Sequence, residues 1–476
     1  MLFNSLDFAI FLPIVFVLYW FVTNKNLKIQ NLLIVISSYV FYGWWDWRFL
    51  VLILFSTIVD FTIGNLLNKE TKIPNRKALL WMSIVFNLGL LGFFKYYNFF
   101  VESFSNAFTF FGTELKAHTL YIILPVGISF YTFQTLSYTI DVYRKKLEPT
   151  NDFISFAAFV SFFPQLVAGP IERATNLLPQ FYKIKKFDYN FAVSGVKLII
   201  WGLFKKVVIA DNCAFFVNQI FDNPVAFSSS DLFLGAVFFA FQIYGDFSGY
   251  SDIAIGTARF FGFKLMTNFS FPYFSKDIAD FWRRWHISLS SWFRDYLYIP
   301  LGGSKGSKIK QIRNIFIIFL VSGFWHGANW TFIVWGGIHS LLFLPLLLYK
   351  RNRKHVQITS LKINDSINVI STFLLVTIAW VFFRADSFAI ALDYLYTMFT
   401  NFEGELSSIF VKTSKNILFS FICILSIIIM LLYEYNAIQK KEKEVVLSRI
   451  SVVIISLLIL FLGVFKNPSE FIYFQF

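Results

Sequence analysis

Charge is scarce in this sequence. Only 15% of its 476 residues are Asp, Glu, Lys or Arg, against about a quarter in soluble domains, which argues against an ordinary water-soluble protein. Cysteine is nearly absent. Cys213 and Cys423 lie far apart, in or beside apolar stretches, so neither a disulfide framework nor a cysteine metal site follows. The signatures of soluble catalysts are missing too: there is no GxSxG, no GxGxxG between strand and helix, and no Walker pair. A soluble-type hydrolase, dehydrogenase or ATPase therefore finds no support. GGSKGSKIK (302–310) does not fit GxxxxGK[ST] and reads as a flexible basic loop. No repeat of 20–50 residues and no low-complexity segment occurs. MLFNSLDFAIFLPIVFVLYWF lacks a basic n-region and a small-residue cleavage site, so it reads as a retained helix.

What the chain does have is apolar and aromatic residues, 57% and 21% respectively. Apolar runs near the roughly 20 residues that span a bilayer recur throughout. The expected fold is all-α: one polytopic membrane domain over 1–476, with about 11–12 transmembrane helices plus re-entrant or interfacial ones. The expected spans are 8–23, 29–43, 49–67, 79–94, 121–139, 191–210, 231–247, 312–325, 328–349, 366–383, 416–435 and 447–465. The net charge of +14 does not indicate nucleic acid, because the basic residues sit in short loops between apolar runs. Loops bearing Lys25 and Lys28, then Lys69, Lys72, Arg76 and Lys77, then Arg144, Lys145 and Lys146 alternate along the chain. Segment 264–311, the cluster 350–354, and Lys440, Lys441 and Lys443 continue the pattern. All fall on one side, the cytoplasm, and both termini then face outward. Lys205 and Lys206, at an outer helix end, are the exceptions.

Two stretches interrupt this pattern. FISFAAFVSFFPQLVAGPIER (153–173) is apolar but broken by Pro164, Gly169 and Pro170. YGDFSGYSDIAIGTARFFGF (244–263) carries Asp246, Ser248, Ser251 and Asp252. Irregular backbone at membrane depth survives only against protein or a water-filled cavity, so both are expected to be re-entrant or half-length helices lining a central cavity.

Polar groups that hydrocarbon penalises are candidates for chemistry. Three of the five histidines fall within 54 residues: His286 in DFWRRWHISLS, His326 in FWHGAN and His339 in WGGIH. Imidazole, with an ordinary pKa of about 6.5, suits proton transfer, although a histidine in an apolar helix also serves as an interhelical hydrogen bonder. His326 and His339 are thirteen residues apart, not a local metal spacing, so no metal is expected. His118 and His355 sit in polar loops and receive no role. In DFWRRWHISLSSWFRDYLYIPLGG (280–303), charges alternate with large apolar residues. One reading is an amphipathic helix in the inner headgroup layer, anchored by Trp282, Trp285 and Trp292. The other is a cytoplasmic-mouth element steering an anionic donor. Asp280, Arg283, Arg284 and Arg294, with Asn329 and Asp246, are the candidate donor-binding residues.

FWRRWHISLSSWFRDYLYIPLGG, FWHGANWTFIVWGGIH and FFPQLVAGPIER resemble the membrane-bound O-acyltransferase family, most closely its bacterial alginate O-acetyltransferase branch. YGWWDWRFL (42–50), ILPVGISFYTFQTLSYTIDVYR (123–144), YGDFSGYSDIAIG (244–256) and WVFFRAD (380–386) carry the resemblance further. It implies a helical bundle with funnels opening to each face, in a bacterial cytoplasmic membrane. His326 matches the family's invariant histidine, and His286 and His339 match histidines of the branch. The implied reaction takes an acetyl group from a cytoplasmic thioester, acetyl-CoA or an acyl carrier, with no bound cofactor. The acceptor is an extracytoplasmic polysaccharide such as alginate, peptidoglycan or cellulose. Implied partners are an extracytoplasmic SGNH-hydrolase-like protein and polysaccharide assembly proteins. Small residues Gly323, Gly327, Ala328, Gly336 and Gly337 would let helices approach closely around the histidines.

The alternatives are a D-alanyl transferase acting on teichoic acid and, from another class, a proton-coupled transporter or flippase using Asp246, Asp252 and the histidines. No inverted repeat supports the transporter. KNPSEFIYFQF follows the last span as part of an extension over about 447–476. It reads either as an interfacial aromatic anchor or as a relay. FIYFQF resembles the aromatic motif of the single-span accessory protein of the D-alanyl branch, which makes Tyr473 a fourth catalytic candidate.

Overall fold

The computed structural model describes residues 1–110, 112, 119–167, 169–349, 365–402, 408–466 and 469–472. Tyr473, His118, His355 and the basic cluster 350–354 lie outside the described residues. Among those described, all regular structure is helical. Six helical runs are long and apolar enough to cross a membrane: Leu27–Lys69, Ile73–Thr109, Ser229–Phe260, Trp330–Leu348, Ser366–Arg384 and Ser414–Gln439. The first takes in two of the expected spans. Leu6–Val22, Phe153–Leu166, Phe388–Thr400 and Arg449–Leu462 are shorter apolar helices. Phe388–Thr400 was not among the spans expected.

The chain divides into two compact units, one of residues 1–195 and 257–266, the other of 196–256 and 267–476. In the first, polar side chains set the helix starts: Asn26 accepts from Lys28 and Ile29, and Asp152 from Ile154 and Ser155. The 153–173 segment is broken as its prolines require. Helix Phe153–Ser161 stops at Phe162, and Pro164 sits in the first turn of the short helix Phe163–Leu166. Asp60, buried at mid-helix, accepts hydrogen bonds from Ser83, Asn87 and Thr139, so the helices that carry them are tied by a polar node. Past the broken helix, the buried Glu172 accepts from Asn176 Nδ2 and from the Met266 N–H. Burial pushes its carboxyl up to about 7.

The second unit corrects one expectation outright. Residues 244–263 form no re-entrant loop. Residues 244–260 continue a single helix, Ser229–Phe260, of 32 residues, roughly 48 Å at 1.5 Å per residue. The polar residues do not force the backbone open because their partners lie beside the helix or, for Ser248, one turn back on it. Asp252 pairs with Lys205 at 2.6 Å, Asp246 pairs with Lys206 at 2.8 Å, and Ser248 donates to the Tyr244 carbonyl.

Candidate active site

The helices Lys308–His326 and Trp330–Leu348 form a hairpin packed backbone to backbone. Close approach is possible because two glycines face the opposing chain. A Cβ on Gly323 would lie 2.2 Å from the Phe332 carbonyl oxygen, and one on Gly336 would lie 2.3 Å from that of Phe319. The tight turn uses Asn329 as a cap: its Oδ1 accepts from the Thr331 N–H at 3.0 Å, and its Nδ2 donates to the Asp386 carbonyl at 2.8 Å. This candidate donor-binding residue therefore spends both ends of its amide on backbone.

His326 is the last residue of its helix and only 2% exposed. Rings enclose it: Trp325 at 5.0 Å, Trp335 at 5.1 Å and Phe383 at 5.3 Å between centroids. His339 lies on the other helix of the hairpin, fully buried, 4.8 Å from the same Trp335. The indole N–H of Trp282 donates to its Nδ1 at 3.2 Å. An indole can only donate, so the neutral His339 ring carries its proton on Nε2, an atom without a hydrogen-bond partner among the described residues.

His286 completes the group. Its ring is 6.1 Å from Trp325 and 4.7 Å from Phe247. Its Nδ1 lies 3.1 Å from Asn268 Oδ1, an acceptor whose own Nδ2 donates to Ser251, which puts the His286 proton on Nδ1, the opposite tautomer to His339. The backbone at His286 is left-handed, φ 44°, a conformation that costs about 1–3 kcal/mol for a residue with a side chain and persists only where its surroundings impose it. The three histidines are thus brought together through Trp325 and Trp335. Asn268, absent from the sequence-based candidates, fixes one of them; no spacing in TNFSFPYF signals it.

The 280–303 segment is not one interfacial helix. Helix Ile278–Arg284 ends at Trp285, and a second helix, Ile287–Phe293, starts after the turn at His286. Trp282, Trp285 and Trp292 are buried, so they pack the protein interior and do not anchor it in headgroups. Asp280 and Arg284 are both buried and pair with each other at 3.0 Å, which leaves neither charge displayed. Arg283 is half-buried. Arg294 is exposed and bonded to its neighbour Asp295 at 2.7 Å. Asp246, a further donor-binding candidate, is buried against Lys206 and accepts from the Ile472 N–H at 2.6 Å.

Lys205 and Lys206, which looked like topological exceptions, lie buried within this unit. Lys205 meets Asp252 and the Ser248 hydroxyl; Lys206 meets Asp246, Asp211 and the Ser469 carbonyl. Asp211 was missed in the sequence. The signal that could have found it is the charge-bias violation itself, since a lysine pair out of place needs acids nearby.

The family model of membrane-bound O-acyltransferases matches residues 144–385, which include all three clustered histidines. The chain is 41% identical over 414 residues to the probable alginate O-acetylase AlgI of Pseudomonas aeruginosa, covering 86% of this chain and 77% of that one. It is 35% identical to the peptidoglycan O-acetyltransferase of Helicobacter pylori, covering 100% of this chain and 98% of that one. Likeness to the teichoic acid D-alanyltransferase of Bacillus subtilis is weaker, 28% over 56% of this chain and 70% of the other.

Proposed function

The chain belongs to the membrane-bound O-acyltransferase family and is an acyltransferase; from that premise we propose that it transfers acetyl groups from a cytoplasmic thioester, acetyl-CoA or an acyl carrier, toward an extracytoplasmic polysaccharide. The relatives that cover most of the chain are named for alginate and peptidoglycan, and these are the acceptor classes favoured. The likeness to D-alanyl transferases extends over less of the chain, which makes teichoic acid the weaker choice.

The observation that carries the reading is His326 at the end of its helix, buried in rings and joined through Trp325 and Trp335 to the other two histidines. In the proposed reaction His326 takes the proton of an attacking hydroxyl, whose oxygen bonds to the thioester carbonyl carbon. The carbon–sulfur bond breaks, and the leaving thiolate recovers the proton from His326. A cage of rings around the base limits competing hydrolysis by water. The first hydroxyl is assigned to Tyr473: a phenol, pKa about 10, gives an aryl ester that remains an activated acyl donor. An SGNH-hydrolase-like partner then accepts the group outside the bacterial inner membrane, where the charge bias of the loops directs both termini.

Intact-mass analysis after incubation with acetyl-CoA tests the reading. Wild type should gain one acetyl group on the peptide containing Tyr473, and Tyr473→Phe should gain none. Normal polymer acetylation by Tyr473→Phe would rule the relay out and leave the segment as an aromatic anchor.

A further inference from the structure

Residues 469–472 are held in the second unit by side-chain packing and by hydrogen bonds to their backbone, and the groups that bind the backbone at Ser469 and Ile472 are charged. The Lys206 ammonium has three protons to place. It meets Asp246 at 2.8 Å, Asp211 at 3.0 Å and the main-chain carbonyl of Ser469 at 2.9 Å. Asp246 in turn accepts the main-chain N–H of Ile472 at 2.6 Å. One ion pair thus presents a donor and an acceptor to a stretch of four residues. The chain just before is led in the same way, because Asn212 Nδ2 donates to the Leu462 carbonyl at 3.0 Å and the Val464 N–H donates to the Val207 carbonyl at 2.9 Å.

An aromatic anchor would not need any of this. Phe471, fully buried, already packs on Tyr250 at 4.5 Å and on Phe247 at 5.9 Å, and rings alone hold a segment without fixing which residue sits where. Buried ionic groups carry a desolvation cost that apolar packing avoids, and their best-attested use is to specify register. Register matters here for two reasons on the same surface. Phe247, which Phe471 touches, is itself 4.7 Å from the His286 ring. The N–H bound by Asp246 belongs to the residue directly before Tyr473 in sequence.

We propose that Lys206 and Asp246 are positioning residues, a main-chain clasp that fixes the register of the 469–472 segment and thereby delivers Tyr473 to the histidine cluster. The delivery rests on the relay reading above; the clasp itself does not. Misplacing a reacting group by about 1 Å can cost on the order of 10²-fold in rate, and loss of the clasp should cost about as much.

The test alters only the segment. Ile472→Pro removes the N–H that Asp246 binds and leaves Lys206, Asp211 and Asp246 paired. Glu470→Cys carries a nitroxide, both native cysteines being buried. In the full-length protein the label should be immobilised, should stay so in Ile472→Val, and should become mobile in Ile472→Pro. Acetylation of the segment in Ile472→Pro should fall about 10²-fold with KM for acetyl-CoA unchanged. A label still immobilised in Ile472→Pro, or released as fully by Ile472→Val, overturns the clasp. Tyr473→Phe separates the two ideas: if it transfers acetyl normally the relay fails, while the nitroxide spectrum, which needs no acyl transfer, still decides the clasp.

Discussion

The histidine cluster and the lysine–carboxylate cluster share one unit and both bury polar atoms, yet they satisfy them differently. Around His326 and His339 the neighbours are rings, and one indole N–H is the hydrogen bond that orients His339. Around Lys205 and Lys206 every ammonium meets a carboxylate within 3.0 Å. The difference separates two uses of buried polarity. Charges compensated in pairs are committed to holding chain, whereas the histidines are held mainly by the rings packed around them. The transporter alternative draws no support from the family match, which is to acyltransferases.

That comparison can be broken by substitution. Lys206→Met leaves Asp211 and Asp246 buried without their cation, and breaking such a pair costs about 3–5 kcal/mol; denaturant unfolding in micelles should show a loss of that size. A loss no larger than that of a surface substitution would mean the cluster is not a structural charge pair. A buried acid in the other unit gives a second, smaller effect. The carboxyl of Glu172 is raised from 4.5 to about 7 by burial. Folding therefore favours its protonated form, and the stability it contributes is fully present below about pH 4.5 and is lost as pH rises through about 7, on the order of 3 kcal/mol in all. Melting temperature should fall between pH 5 and pH 8, and Glu172→Gln should flatten that slope. An unchanged slope in Glu172→Gln would assign the pH response elsewhere. Smallest is His339→Phe, which keeps a ring among rings and gives up the bond from Trp282, about 1 kcal/mol. If it destabilised as much as Lys206→Met, the two clusters would not differ as described.

Much of the fold was legible in the sequence, because hydrophobic length is a local signal. Pro164 announced the broken helix, and the glycines around His326 announced a close helix pair. What misled was polarity read one segment at a time. YGDFSGYSD looked too polar to be an uninterrupted membrane helix, and it is one because Lys205 and Lys206, some 40 residues earlier in sequence, neutralise it. The tryptophans of 280–303 looked like interfacial anchors and are core, since amphipathic spacing cannot tell a headgroup from a neighbouring helix. Histidine spacing marked the three rings, but their arrangement around Trp325 and Trp335 is a property of the hairpin and of the turn at His286.

The central claim is that His326 performs acyl transfer and does not merely fill space between rings. Its most direct test is thioester consumption by purified protein, wild type against His326→Gln, with melting temperature measured on the same samples. Turnover should fall about 10²–10⁴-fold at a melting temperature close to wild type. Turnover within a few-fold of wild type in a folded His326→Gln would contradict it.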